Sequence, residues 1–530
     1  MLQLTWASST LFSSYERPAD EDRYGHKLIK LCKDYRSSDE YIKENILLIE
    51  AILCRTAIQT NFLKRVHETL SEEHSRVHFE AFEMLKSKLM IALTKLESVV
   101  SESSVRKWKL LLVRKNIGEL VDQLQCWQRV FDPSWFLILR INKAVIDTEL
   151  TSDLESVDTQ SLTLTMPPAG NRGSTSTVGH AQFIRGIIRG SAAKVHIYLS
   201  QDGLDWENTV SVPFATARII RRNNSLKRFL VESIQCNPTT DITSTRQGAE
   251  ELAKRLHPKD TAQFGLLTCY GLVKRKDKDQ RHITSLNLVF SVPSEKAVPV
   301  SLRQRLVESR NFSLTATVDL ARQLAQAVCF IHACDFVHKN LRPETIVLFP
   351  DKDSTSLGSA HLLGFDSFRR TNFHTALQGD SAWERNLYHH PTRQGLRAQE
   401  RYKMQHDVYS LGVCLLEIGL WQTFVDYKSA EGEGETPIDT QGLSGDGNEP
   451  ETVAQGKPPS TKDRLLAMAK SQLPIKLGDR YTAVVVTCLT CLDDDSVDFG
   501  EDSDMQDEDG VLIGVRFIEK VLFRLSEISL

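Results

Sequence analysis

Four stripes of apolar residues at helical spacing, all within residues 24–131, constrain this chain more than any other feature. They are Tyr24, Leu28, Leu31 and Tyr35; Ile42, Ile46, Ile49 and Leu53; Phe82, Leu85, Leu89 and Leu96; and Ile117, Leu120, Leu124, Trp127 and Phe131. A helix carrying one apolar stripe must bury it against another element. Four such stripes with short connections predict an antiparallel all-α bundle over residues 1–147. Pro133, in "FDPSW", is expected to stop the last helix, because proline lacks an N–H and its ring clashes with the preceding turn.

Beyond the bundle the pattern changes. Residues 148–182 are rich in Ser, Thr and Gly with few large apolar groups, so burial there cannot offset ordering entropy, and the segment reads as a disordered linker. From Phe183 to about Val292 short β-like runs alternate with turns: "KVHIYLS", "RFLVESI", "FGLLTCYGLV" and "SLNLVFSV". One helical segment, "TRQGAEELAKRLH", lies among them, and helices dominate from Leu302 onward. Strands with one helix, then helices, predict an α+β domain over 183–530, its strand-rich lobe spanning 183–298 and its helical lobe 299–530. Two stretches inside it look irregular: an insert over 427–462, and an acidic loop over 493–510 that reads as a solvated surface loop.

A length of 530 residues allows two to four domains. The net charge of −4 gives no reason to expect nucleic acid as partner. Ten scattered cysteines, and a start lacking a basic region and apolar core, point to reduced thiols in the cytoplasm or nucleus. The CxxC pair Cys488 and Cys491 has no second pair and reads as two buried thiols on a helix face. No run of 18 apolar residues is present. His74 and His78 stand at i,i+4 but lack a third ligand, so they read as ordinary helix histidines.

The segment Phe336–Phe349, "FVHKNLRPETIVLF", resembles the catalytic loop of protein kinases. Others follow in the family's order: "TATVDLARQLAQAVCFIHACDFVHKNL" ahead of it, then "LLGFDSFRR", "LYHHP" and "HDVYSLGVCLLEIG", with Arg480 in "LGDRY" as a stand-in for the last conserved arginine. The resemblance implies a bilobal kinase-like fold whose scaffold persists in His338, Leu341, Pro343, Phe365, Asp407 and Gly412. The chemistry-bearing positions are altered. Asn340 replaces the aspartate that handles the substrate hydroxyl proton, and an amide oxygen is no base near neutral pH. Arg342 replaces the lysine and Thr345 the metal-binding asparagine. Gly364 falls where the magnesium aspartate belongs, unless a shifted register uses Asp366.

The nucleotide end is as thin. "RGIIRGSAAKV" offers Gly186 and Gly190 at the wrong spacing for a phosphate-cradling loop. Glu232 holds the position of the strand lysine, with Lys194 as a substitute of the kind used by with-no-lysine kinases, and Glu250 or Glu251 is the candidate ion-pair glutamate. The expectation is a pseudokinase: catalysis is lost and replaced by binding of protein partners, with ATP and Mg as conditional ligands. The helical bundle resembles HeLo-like domains of fungal multidomain proteins and, by architecture, the mixed-lineage kinase domain-like effectors. That resemblance implies cell-death or incompatibility signalling. Arg106, Lys107, Lys109, Arg114 and Lys115 around Trp108 suit either an interface helix or a solvated bundle face. Three functions follow: a signalling pseudokinase, an active atypical Ser/Thr kinase using Asp366 and Lys194, or a membrane-acting effector. Self-association stays open.

Overall fold

The structure, a computed structural model, describes residues 20–32, 39–101, 106–160, 177–189, 196–236, 241–258, 261, 264–277, 282–294, 298–308, 310, 312–350, 357–365, 369–370, 380–430, 433–443, 460–500 and 509–528. The chain divides into two compact units between Gly186 and Ile187. A helical N-terminal unit is followed by a mixed α/β unit with antiparallel sheets.

The first unit contains α1 (Asp20–Cys32), α2 (Glu40–Val66), α3 (Glu72–Ser101), α4 (Arg106–Leu137), α5 (Ala144–Gln160) and α6 (Thr177–Ile188). Side-chain pairs fix the register of the long helices. Trp127 Nε1 on α4 donates to the Ala81 carbonyl on α3 at 2.7 Å, and Lys95 pairs with Glu119, so these two run antiparallel. Asp132 on α4 is buried and accepts from Gln59 of α2, with Arg55 3.0 Å away. His74 and His78 stack in the core at 4.7 Å, and His74 Nε2 bonds the Ser134 carbonyl.

Two expectations fail here. Pro133 lies inside α4, because Trp135, Phe136 and Leu137 beyond it are fully buried and their packing outweighs the lost backbone bond. The segment 148–182 is not a uniform linker: α5 continues to Gln160 and α6 begins at Thr177, while 161–176 lie outside the described residues. Buried Arg185 explains the attachment of α6. Its guanidinium donates to the carbonyls of Leu139, Ile141 and Lys143 and to Asp147, satisfying acceptors that the end of a helix leaves unpaired.

The second unit opens with a five-stranded antiparallel sheet of β1 (Val210–Ser211), β2 (Arg218–Arg221), β3 (Arg228–Gln235), β4 (Cys269–Lys276) and β5 (Ile283–Ser291), in the order β1-β2-β3-β5-β4. Helix α7 (Ile242–Arg255), capped by Asp241, joins β3 to β4. The run "KVHIYLS" makes only an isolated bridge through Tyr198 to Leu272, whereas the short β1 and β2 had no signal of their own. Next come β6 (Val300–Ser301), a short helix Leu302–Val307, α8 (Leu314–Ala333), β7 (Phe336–Val337), β8 (Ile346–Phe349), β9 (Ser359–Leu362) and β10 (Arg369–Arg370). Strands β6, β8 and β9 form a three-stranded sheet. Helix α9 (Met404–Leu420) is apolar around most of its circumference and buried along its whole length. A Cβ on its Gly412 would lie 2.8 Å from Cys488 Cβ, so glycine is what allows α10 (Thr461–Leu489) to pack this closely.

The insert over 427–462 is not wholly irregular. Its start folds into a hairpin of β11 (Val425–Ala430) and β12 (Glu433–Asp439), while 444–459 lie outside the described residues. Part of the acidic loop is likewise structural: Asp498 takes two bonds from Arg524, and Asp493 pairs with Lys462. Cys488 and Cys491 are both buried.

Candidate functional site

The kinase-like positions converge on Asp407, at the start of α9. Its carboxylate is fully buried and accepts from the backbone N–H of His338 (2.7 Å) and Lys339 (2.9 Å), from Tyr402 Oη (2.7 Å) and from His332 Nε2 (3.0 Å). Burial opposes its charge, but the hydrogen bond and electrostatic pull of His332, then those of His338 and Tyr402, prevail and hold it down to about 2. This anchor keeps Lys339 at φ 68°, a left-handed conformation costing an L-residue roughly 1–2 kcal/mol. His338 accepts the Asn340 N–H on Nδ1, so Nε2 carries the proton and donates to the Leu363 carbonyl at 2.7 Å. Asp407 thus ties the loop to α9, and His338 ties it to the Gly364 segment.

Asn340, Arg342 and Thr345 are brought together and bonded to one another. Arg342 Nε donates to Asn340 Oδ1 at 2.9 Å, and Thr345 Oγ1 donates toward the carbonyls of Asn340 and Arg342 while accepting the Arg342 N–H. All three are buried. The set has no proton acceptor, and its threonine hydroxyl is committed within the loop.

Glu232 on β3 is only 3% exposed. Its carboxylate accepts the N–H of Gly364 at 2.6 Å, the N–H of Phe365 at 3.2 Å and the hydroxyl of Thr216 at 2.7 Å. Three donors on an acceptor-only group suit its ionised form. Gly364 has φ 90°, and a Cβ there would lie 2.3 Å from Thr345 Cγ2. No carboxylate fits at position 364 beside this threonine.

The turn between β1 and β2, "VPFATA", contains no glycine. The expected Gly186 instead sits in α6, and Gly190 is outside the described residues. Val212 and Ala215 N–H groups bond within the turn, and Pro213 has none to offer. The Pro213 carbonyl accepts from Ser301 Oγ at 2.7 Å, and Phe214 stacks on Tyr427 of β11 at 5.6 Å. The turn is tied down rather than open to a ligand.

Lys194 and Asp366 lie outside the described residues. Glu250 on α7 is engaged by Tyr198 Oη and by Arg246 at 3.7 Å. Arg480 does not act as the buried arginine: it is exposed and donates to the Glu527 carbonyl. Arg303, which carried no sequence signal, has that environment. It is fully buried and bonds Glu344 (3.0 Å), Glu417 (2.7 Å), Tyr388 and Thr423. Tyr388 Oη also donates to Glu417, and Tyr427 Oη to Glu344. Burial works against every charge in this network. Arg303 and then Arg342 outweigh it at Glu344, held down to about 2, whereas at Glu417 burial wins over Arg303 and the pKa is raised. Arg342 is the second cation that only Glu344 has within reach, at 3.6 Å.

Among the described residues no cluster of three or more His, Cys, Asp or Glu is placed to hold a metal ion. The described residues do not fit a magnesium-bound phosphate. At the positions that the resemblance to kinases would assign to metal and phosphate stand Thr345, whose hydroxyl is bonded within its own loop, Gly364, and the buried carboxylate of Glu232. No family model and no curated protein matches the sequence. A search of solved structures aligns it with a chain of the CAK complex from Chaetomium thermophilum bound to ATP-γ-S, at 13% identity and a TM-score of 0.37 over 61% of this chain and 92% of that one. So loose a likeness carries no argument.

Proposed function

We propose that residues 187–530 form a bilobal kinase-like fold that has kept its scaffold and lost phosphotransfer, a pseudokinase working as a protein-binding switch in series with the helical unit. The sheet order with α7 between β3 and β4, and the loop anchored by Asp407, support the fold. One observation carries the loss of function: Glu232 places a buried negative charge at the lysine position and spends it on the backbone of Gly364 and Phe365. Anionic phosphates would meet repulsion there instead of a countercharge. The buried free thiols Cys269, Cys329, Cys414 and Cys488 support a reducing cytoplasmic setting.

The test is thermal unfolding of the full chain with ATP, with and without Mg²⁺. No shift is expected. A native-state ligand at a hundredfold excess over Kd adds about 2.7 kcal/mol, and a shift of that order would overturn the reading. It would favour the active-kinase alternative, to be decided by turnover of Asp366→Ala and Lys194→Ala.

A membrane-acting helical unit, in a fungal cell-death or incompatibility pathway, is the second reading. What favours it is Trp108, 65% exposed, with Leu111 and Leu112 on the same face of α4. Against it, Arg114 is paired with Asp39 and Lys115 with Glu119. Among the described residues one helical stretch, Glu40–Thr69, is long and apolar enough to cross a bilayer, but its Ile42, Ile46, Ile49, Phe62 and Leu63 form the bundle core. Failure of the full chain to sediment with anionic vesicles at low salt would remove this reading, since attraction is strongest there.

A further inference from the structure

The loop from Thr392 to Lys403, which leads into α9, is rigid and cationic. Bonds within the loop and to the residues just before it brace it. Arg393 is buried, donates to the Glu400 carbonyl and lies 5.6 Å from the Tyr402 ring; Gln399 N–H bonds the Thr392 carbonyl; Gln394 Nε2 reaches the carbonyls of Asn386 and His389. At its tip Leu396 is 72% exposed. Arg397 and Arg401 are exposed, and among the described residues neither makes an ion pair. Lys339 adds a further cation over the Tyr402 ring at 5.8 Å. Glu400 is the loop's only acid. A preorganised surface of this kind binds without a large ordering cost on its own side.

The chain carries a matching segment that lies between two contacts made near this loop. On one side Cys491 Sγ donates to the Gln405 carbonyl at 3.2 Å; on the other Ile513 packs against Val337, Tyr402 and Met404. Between Gly500 and Asp509 lie residues 501–508, "EDSDMQDE", with five acids, no base and one apolar side chain, Met505. An extended chain of this length, fixed at both ends, reaches roughly 15 Å from its anchors. The neighbouring Asp493 and Asp498 already have Lys462 and Arg524, so those cations are not the counterpart of residues 501–508.

We propose that the Leu396–Arg401 surface is a docking site for the chain's own acidic segment 501–508, held in cis, with its carboxylates on Arg397 and Arg401 and Met505 against Leu396. Tethering at both ends supplies a high effective concentration, so contacts too weak to hold a free peptide suffice in cis. The inference does not depend on whether the second unit binds nucleotide.

The experiment is fluorescence anisotropy of a fluorescein-labelled 501–508 peptide added to the full chain at 50 mM NaCl. Three chains are compared: wild type; a neutralised chain carrying Glu501→Gln, Asp502→Asn, Asp504→Asn, Asp507→Asn and Glu508→Gln; and the neutralised chain with Arg397→Glu and Arg401→Glu. The neutralised chain is expected to bind at least tenfold more tightly than wild type, whose own segment competes. The arginine reversals are expected to abolish that binding, and 500 mM NaCl to weaken it strongly. Equal binding to wild-type and neutralised chains would overturn the cis occupant. Absence of binding to the neutralised chain, or binding indifferent to the reversals, would overturn the surface. A wild-type chain that sediments as a dimer at low salt, and dissociates on neutralisation, would move the segment to a second copy and also overturn the proposal. Reversal of Arg218 and Arg222, on the five-stranded sheet, is the control for net charge and is expected to change nothing.

Discussion

Gly364 has no room for a side chain: it sits at φ 90°, and a Cβ there would lie 2.3 Å from Thr345 Cγ2, so sterics exclude any carboxylate at this position. Gly364→Ala is expected to destabilise the second unit by roughly 2–4 kcal/mol, combining left-handed strain with overpacking. In a Thr345→Ser background, which deletes the 2.3 Å contact with Cγ2 and keeps the hydroxyl while leaving Cβ at 2.6 Å, the cost should fall in part. Urea unfolding of the four chains of this double-mutant cycle measures the coupling, and strict additivity would show that the Thr345 methyl is not the obstacle. Glu232 belongs to the same scale. Its carboxylate accepts the N–H groups of both Gly364 and Phe365.

At the scale of elements, the hairpin β11–β12 and the β1–β2 turn act on each other. Phe214 rests on Tyr427, and Tyr427 reaches through Glu344 to Arg303, so the turn is linked to a buried network that also holds α9 through Glu417. If the stack holds the turn down, Tyr427→Ala should raise amide hydrogen exchange across 210–217, and Tyr427→Phe should not, because it keeps the ring and loses only the bond to Glu344. Exchange by mass spectrometry separates the two, and unchanged exchange in Tyr427→Ala would assign the turn's order to Ser301 and Thr216 alone.

For the whole molecule, buried histidines set the acid limit. Burial, before any neighbouring charge, lowers His361, His389 and His390 to about 4 and His406 to about 3, from 6.5. Lys462 adds to the effect at His390, and His390, Arg393 and Lys403 add to it at His406. Between those values and 6.5 the unfolded chain binds protons that the folded chain does not. Stability is therefore complete above about pH 6.5 and falls as pH drops through the window to about 4, by about 1.4 kcal/mol per pH unit for each histidine. Asp407 and Glu344, both held down to about 2, lose their contribution at still lower pH. Denaturant midpoints measured from pH 8 to pH 4 should fall steadily; a flat profile across that range would mean these rings are solvated in the native state.

The order of elements was legible because it depends on local periodicity. The helical stripes of the bundle, the strands at "RFLVESI" and "SLNLVFSV", the α9 run and the anchoring Asp407 all carry their environment in nearby residues. So did the weakness of the catalytic loop, where substitution of a charged group by a neutral one is visible residue by residue. Other features rested on partners distant in the chain. Pro133 inside α4 depends on aromatic packing from other helices, Arg303 meets Glu417 across 114 positions, and Glu232 reaches Gly364 across 132. Periodicity reports which face of an element is apolar, and the sequence therefore determined the elements and the residue types of the Phe336–Phe349 loop. Only the tertiary structure decided what surrounds that loop, because a carboxylate buried against two backbone N–H groups is defined by the fold that brings them together.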